Sequence, residues 1–296
     1  MKRLKIFSLR EVLWDLFPEG ELFGGAPNNF ACQAALQGAE VSMLSAVGDD
    51  DRGRRAISIL SEHHVDVSLM QTVPEAPTGT VGVELDKNCK PTYFIHEGSA
   101  WDQLQWHDEI ASQVQSANAA CFGTLGQRSE VSRKTIRRAL QAAIAAGIPR
   151  VVDINLRLPF FDADMIRDSV QLASILKMSD EELAEVCSAC GISEAEDEEA
   201  MRRLLKFGEL DIVVMTRGAD GAILVSADSV IEQEGIPTSV IDTVGAGDSF
   251  TAAFLIGELQ GKPRQDSLRR ACEVAAATCS HSGAVRAHSL ETSHTG

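Results

Sequence analysis

Short apolar runs rich in β-branched residues alternate along this chain with stretches of helical character. The runs Lys5 to Leu9, Val41 to Val47, Ala119 to Phe122, Val151 to Ile154, Ile175 to Met178 and Ile212 to Thr216 predict buried strands. Strands that alternate with helices predict a mainly parallel sheet with helices packed over it. Two helix boundaries can be read directly. Ser129 is placed to cap a helix that runs to Ala146 before Gly147, and Ser193 to cap one that runs to Phe207 before Gly208. Acidic residues from Glu194 to Glu199 open the second helix, and Arg202, Arg203 and Lys206 close it, the charge order that the helix dipole favours.

One region breaks the rhythm. Thr80 to Leu85 alternates small or polar residues with Val81, Val83 and Leu85, Asp86 to Pro91 reads as a turn, and Thr92 to His96 resumes the extended pattern. Glu11 to Phe23 is also short, partly extended and broken by Pro18 and Gly20. Together these segments predict a small β lid, contributed by roughly residues 11–25 and 78–98 of a single domain spanning 1–296. A lid over a cleft suits chemistry that must exclude water.

The 296 residues are 44% hydrophobic and 24% charged, enough apolar material for a substantial core. A formal net charge of -16 would repel a polyphosphate backbone, so no nucleic-acid partner is expected. No apolar run is long enough to span a bilayer, and Met1 to Leu9 lacks the long apolar core of a leader, which points to a cytoplasmic protein with no membrane partner. The seven cysteines are scattered and odd in number, as expected of free thiols; Cys187 and Cys190 have CxxC spacing but no second pair or nearby His to complete a zinc site.

The segment that carries chemistry is Asp242 to Phe250, DTVGAGDSF, which precedes a helix-compatible apolar run. Gly245 and Gly247 permit a tight turn whose backbone N–H groups point outward at a helix start, which makes an anion site. Asp248 sits beside that site. A carboxylate there either caps the helix or takes a proton from a reacting group. No GxxxxGK[ST] occurs, and the string lacks the third glycine of a dinucleotide fingerprint, which sets aside P-loop kinases and Rossmann dehydrogenases.

DTVGAGDSF resembles the C-terminal signature of ribokinase-like (PfkB) carbohydrate kinases, and the resemblance extends over nearly the whole chain. GGAPNNFA at Gly24 to Ala31 is similar to the family's sugar-binding motif, and GDDDRG at Gly48 to Gly53 to its GxDxxG element. EVLWDLFP at Glu11 to Pro18, PTGTV at Pro77 to Val81 and DINLR at Asp153 to Arg157 resemble bacterial fructokinase-like members. The resemblance implies a three-layer, doubly wound α/β fold with a small β-sheet lid, and ATP-dependent phosphorylation of a sugar hydroxyl, fructose or a related keto sugar. It implies Asp248 as general base, with Gly245, Ala246 and Gly247 as the anion hole, and sugar contacts from Asp15, Gly25, Asn29 and Arg157. Nucleotide contacts are implied at Thr216, Gly218 and Gly221 in TRGADG and at Gly283 before Ala284. Mg²⁺ would meet Glu182 through water, a monovalent cation such as K⁺ would lie near Asp242, and two lids would pack in a homodimer. Asn29 also reads as the cap of a helix from Asn29 to Leu36. The alternatives are a nucleoside kinase of the same family, or a regulator that binds sugar or nucleotide without turnover.

Two positions depart from the family pattern. KMSDEE at Lys177 to Glu182 has Ser179 where the family has Asn, which puts the metal's surroundings in doubt. Arg10 stands where the family more often has Gly, and a long cation beside the sugar site is expected either to change the size or charge of the preferred substrate or to point away from it.

Overall fold

The computed structural model describes residues 3–17, 20–85, 91–193, 195–281 and 283. Its strands are β1 (Lys5–Leu9), β2 (Leu13–Phe17), β3 (Gly20–Gly24), β4 (Glu40–Gly48), β5 (Val65–Asp66), β6 (Met70–Val73), β7 (Gly79–Leu85), β8 (Pro91–Ile95), β9 (Ala119–Gly123), β10 (Arg150–Asp153), β11 (Ile175–Ser179), β12 (Ile212–Thr216), β13 (Ala222–Ser226) and β14 (Val230–Gln233). The helices are α1 (Ala26–Leu36), α2 (Asp51–Glu62), α3 (Asp108–Ser116), α4 (Glu130–Ala145), α5 (Ala163–Leu172), α6 (Asp180–Ala189), α7 (Asp197–Phe207), α8 (Ala246–Leu259) and α9 (Arg264–Cys279).

The large sheet runs β14-β13-β12-β11-β10-β9-β1-β4-β5, with β6 also paired to β4. It is parallel from β5 to β12 and turns antiparallel at β13 and β14. Because side chains alternate along a strand, each strand feeds both faces. Phe7, Leu9, Phe122, Val152 and Leu176 pack under α3, α4, α5, α6 and α7 with Ile136, Leu140, Ile166 and Leu204. Ile6, Val41, Met43, Val151 and Ile175 pack under α1, α2, α8 and α9 with Phe30, Leu60, Phe254 and Leu268. This is the expected three-layer, doubly wound arrangement. The CxxC pair lies in the first of these cores as buried free thiols, and no helix among the described residues is long and apolar enough to cross a membrane.

The second sheet, β3-β2-β7-β8, comes from the two segments expected to form a lid. Leu13 and Val81 seat it on Trp101 and Leu125. Trp14 pins it to the other side, with its indole N–H donating to the Arg52 carbonyl at 3.2 Å and the Arg55 guanidinium 4.3 Å over the ring. Two of the motifs meet here. Asp50 of GDDDRG caps α2 by accepting the Gly53 N–H at 2.7 Å, and also accepts the Thr78 N–H of PTGTV at 2.8 Å, tying the lid strand to the sheet. The turn at 86–90 lies outside the described residues.

Three local expectations are corrected. The second acidic helix begins at Asp197 with Glu196 as its cap, so Ser193 lies outside it; three acidic side chains in the first turn meet the dipole without a serine. Ser129 stands at the cap of α4 but its side chain makes no capping bond. Asn29 does not cap α1: the helix starts at Ala26 after Gly25, with a proline in its first turn, so Asn29 falls inside it and is free to point elsewhere.

Candidate active site

The C-terminal ends of β1, β9, β10 and β11 converge on the first turn of α8. The turn is entered through Gly245, whose φ of 78° lies in the left-handed region that glycine tolerates. A side chain at Gly247 would stand 3.1 Å from the Lys177 Nζ and would push the ammonium back from the turn by a few tenths of an ångström. The Ala246 N–H turns back to the Thr243 carbonyl at 3.2 Å, and no backbone acceptor among the described residues takes the N–H of Gly247 or Asp248. The Gly245 N–H likewise meets no backbone acceptor among the described residues, so the turn leaves donors open on both sides of Ala246. Helix α8 adds its positive end to the same spot.

Asp248, on the first turn of α8, is buried. One carboxylate oxygen accepts a 3.1 Å hydrogen bond from the Asn29 amide, and the other lies 3.6 Å from the Arg10 guanidinium. Behind it, Arg10 is 3.5 Å from Asp153, which the Lys177 ammonium meets at 3.0 Å. The Thr251 hydroxyl is 3.3 Å from Asp153. Two cations and two carboxylates thus share one buried site. Burial pushes Asp248 up to about 7, with Arg10 opposing the rise and Asp153 adding to it. A carboxylate near neutrality can both accept and release a proton at the pH of the cell, as a general base requires. Asp153 is held the other way: burial works against ionisation, but Lys177 and Arg10 outweigh it and keep this carboxyl below the ordinary range.

On one side of Asp248 a cavity of about 510 Å³ is lined by Thr216, Gly218, Gly221, Ala246, Gly247 and Ala275, among others. It combines the expected nucleotide loop with the anion-binding turn. Gly221 has no room for a side chain, because one there would collide with the backbone of Gln233 to Gly235. Asp242 staples the cavity's far wall by accepting the Val244 N–H at 3.0 Å and the Gly283 N–H at 2.9 Å. Ala284 lies outside the described residues.

On the other side stands the lid. Asp15, on β2, occupies the space a side chain at Gly24 would fill and is half-buried. Burial pushes it up to about 6, with the exposed Arg157 opposing the rise. Asp15 and Arg157 thus share one field, Asn29 joins Asp248, and Gly25 forms the turn that joins lid to α1.

Glu182 is differently occupied. Its oxygens accept the Leu156 N–H at 2.7 Å, the Ser179 N–H at 2.8 Å and the Ser179 hydroxyl at 3.0 Å, while Ser179 caps α6. This is a reciprocal capping box. Asn caps a helix as well as Ser does, so Ser179 is a conservative departure for the helix. Ser179→Ala should cost about 0.5–2 kcal/mol of stability, read as a lower urea midpoint with the nucleotide affinity retained.

The sequence reading missed the grouping of Arg10, Asp153 and Lys177. It expected Arg10 to act on substrate choice or to point away, whereas the side chain turns under the site between two carboxylates. A signal for the other two was present. Apolar runs interrupted by a single charge, VVDI and ILKM, stand side by side on parallel strands, with Asp153 and Lys177 as register partners.

Residues 20–291 match the family model described as pfkB family carbohydrate kinase. The fold is that of a sugar-kinase phosphotransferase, and the chain belongs to the pfkB carbohydrate kinase family. It is similar to a fructokinase of Klebsiella pneumoniae, 31% identical over 264 residues, 86% of this chain and 84% of the relative. It is also similar to an aminoimidazole riboside kinase of Salmonella typhimurium, 26% identical over 273 residues, 85% of this chain and 80% of the relative. Among solved structures, a sugar kinase of Pyrococcus horikoshii in complex with ATP superposes with a TM-score of 0.78 at 27% identity, covering 94% of this chain and 93% of the other.

Proposed function

We propose that the chain transfers the γ-phosphoryl group of ATP to a primary hydroxyl of fructose or a related keto sugar. The observation that carries this reading is Asp248: a carboxylate held near neutrality between a nucleotide-sized cavity and the lid, beside open backbone donors. The sugar lies under the lid, with Asp15, Asn29 and Arg157 offering acceptors and donors for its hydroxyls. As the hydroxyl oxygen bonds to the γ-phosphorus, Asp248 takes its proton and ADP leaves with the bridging oxygen. The Gly247 and Asp248 N–H groups and the Lys177 ammonium stabilise charge on the transferring oxygens. The likeness to a sugar kinase solved with ATP supports the choice of nucleotide.

Among the described residues no three His, Cys, Asp or Glu side chains gather into a metal cluster. Mg²⁺ takes its ligands largely from phosphate oxygens and water, so the bound triphosphate would supply most of them. Glu182, already bonded to backbone, would meet it only through water, and the ion would neutralise charge on the triphosphate. Asp242 accepts one bond on each oxygen, from Val244 and Gly283, and keeps lone pairs with which it could meet a monovalent cation such as K⁺. Pairing of two lids in a homodimer stays an expectation of the family resemblance. The exposed apolar lid residues Leu22 and Phe94 fall on opposite faces of the small sheet.

The phrases EVLWD, PTGTV and DINLR and the likeness to a fructokinase favour fructose; the likeness to a riboside kinase makes a nucleoside the competing acceptor. A coupled ADP-release screen over fructose, ribose, 2-keto-3-deoxygluconate and nucleosides should give fructose the highest kcat/KM. A nucleoside or ribose in first place would overturn the substrate, and ADP release that no acceptor stimulates would favour a binding protein without turnover.

A further inference from the structure

Arg10 has a job that the phosphoryl-transfer scheme leaves out. It follows the apolar strand β1, and its side chain is only 2% exposed. Five neighbours fix the guanidinium. One amino group lies 3.5 Å from the Asp153 carboxylate, donates to the Phe122 carbonyl at 3.4 Å and approaches the Cys121 sulfur at 3.6 Å. The other lies 3.6 Å from the Asp248 carboxylate, and the whole group sits 5.7 Å from the centre of the Phe30 ring.

This placement excludes a role in gripping an anionic substrate. A guanidinium so buried cannot reach a ligand carboxylate without abandoning Asp153 or Asp248, and a buried carboxylate left unpaired is costly. Charge count gives the alternative. The groups that face Asp248 are Arg10 from the end of β1, Asn29 from α1, Asp153 from β10 and Lys177 from β11, with Cys121 of β9 bordering Arg10. The buried Glu11, whose pKa burial raises and Arg10 lowers, stands next to Arg10 on the chain. Burial pushes the Cys121 thiol up to about 11, so it stays uncharged. With Arg10 the site holds two cations and two carboxylates. Without it, Lys177 alone would serve both, and it is bonded to Asp153.

We propose that Arg10 is a positioning residue for the base: bridging Asp153 and Asp248, it cancels their mutual repulsion and holds Asp248 charged with its other oxygen turned to Asn29 and the acceptor. Arg10 thereby sets the pH at which the kinase becomes active. The inference rests on the reading of Asp248 as base. Desolvation raises Asp248 and the guanidinium limits the rise.

The test is the pH dependence of kcat/KM for the best acceptor of the screen, in wild type, Arg10→Gln, Arg10→Lys and Asp248→Asn, with ATP affinity by calorimetry and folding by circular dichroism. Wild-type kcat/KM should rise through a midpoint near the Asp248 value of about 7. In Arg10→Gln the midpoint should move up by about 1–3 units, the range for losing an opposite charge at this distance, so the loss is greatest at neutral pH and shrinks as pH rises. Arg10→Lys keeps the charge but not the fork, and should move less in the same direction. If Arg10→Gln does not fold, the Lys variant decides by the direction of its midpoint. A uniform loss with an unmoved midpoint would show a merely structural role and overturn the inference. If instead Asp248→Asn stays active, the base assignment fails, a result distinct from an inactive Asp248→Asn beside an unmoved Arg10 midpoint.

Discussion

Asp248→Asn should lose about 10² to 10⁴ in kcat, the range for a positioned general base, which is roughly 3–5 kcal/mol of barrier, with the fold and ATP binding intact. The amide has nearly the shape of the carboxylate and can still bond to Asn29, so the turn of α8 survives. What it cannot do is take the acceptor's proton. Stability should move the other way from activity. Burial raises the Asp248 pKa above its unfolded value, so folding favours the protonated form. The contribution is complete below the ordinary carboxylate range and is lost as pH rises through about 7. At pH 8 the variant, which has no charge to bury, should be at least as stable as the wild type. Urea unfolding at pH 8, kcat and ATP calorimetry together check this. A variant keeping more than about a tenth of wild-type kcat would leave Asp248 as a structural first-turn carboxylate of α8, held by Asn29 and Arg10, rather than the base.

Strands, and the residues of the one long motif, were legible because the signal was local. Lys5 to Leu9 and Ile212 to Thr216 are apolar runs whose burial on both faces follows from their composition, and both appear with those bounds. DTVGAGDSF was legible because a turn through φ of 78° needs glycine at that position. The acidic helix start at Asp197 was blurred because Ser193 offered an equally good local cap, and propensity does not choose between caps three residues apart. Asn29 was misread for a related reason: only the path from Gly25 into α1 shows that it lies within a helix and faces Asp248 across 219 residues of sequence. The Arg10 network lay further out of reach. Its four charges come from the ends of three strands and the first turn of a helix, and nothing in the spacing of positions 10, 153, 177 and 248 announces that these meet. Glu182 shows the converse. Its place in the family motif suggested a metal, while the local Ser179–Glu182 spacing of a capping box describes the bonds it makes.

Asp153→Asn should be the most destabilising substitution in the site, at about 3–5 kcal/mol, the range for removing one partner of a buried ion pair. Asp153 answers both buried cations: Lys177 at 3.0 Å and Arg10 at 3.5 Å. An amide of the same shape takes from Lys177 its directly bonded charge partner, leaving only the fields of Glu182 and Asp248, and leaves Arg10 facing Asp248 alone. The loss should depend on pH. Pairing depresses the Asp153 pKa, so the folded state binds fewer protons there than the unfolded chain. Its contribution is therefore complete above the ordinary carboxylate range, near pH 4, and disappears as pH falls through the lower folded value. The gap between wild type and Asp153→Asn should be full at pH 7 and narrow on strong acidification. Deleting the stranded cation as well separates charge from shape: Asp153→Asn with Lys177→Met leaves Arg10 and Asp248 as a matched pair. The double variant should recover much of the lost stability, so that its loss falls well below the sum of the two single losses, as expected of residues in contact. Urea unfolding of the four proteins measures it. Additive losses in the double variant would mean that Lys177 and Asp153 stabilise the fold by packing rather than through the charge they share.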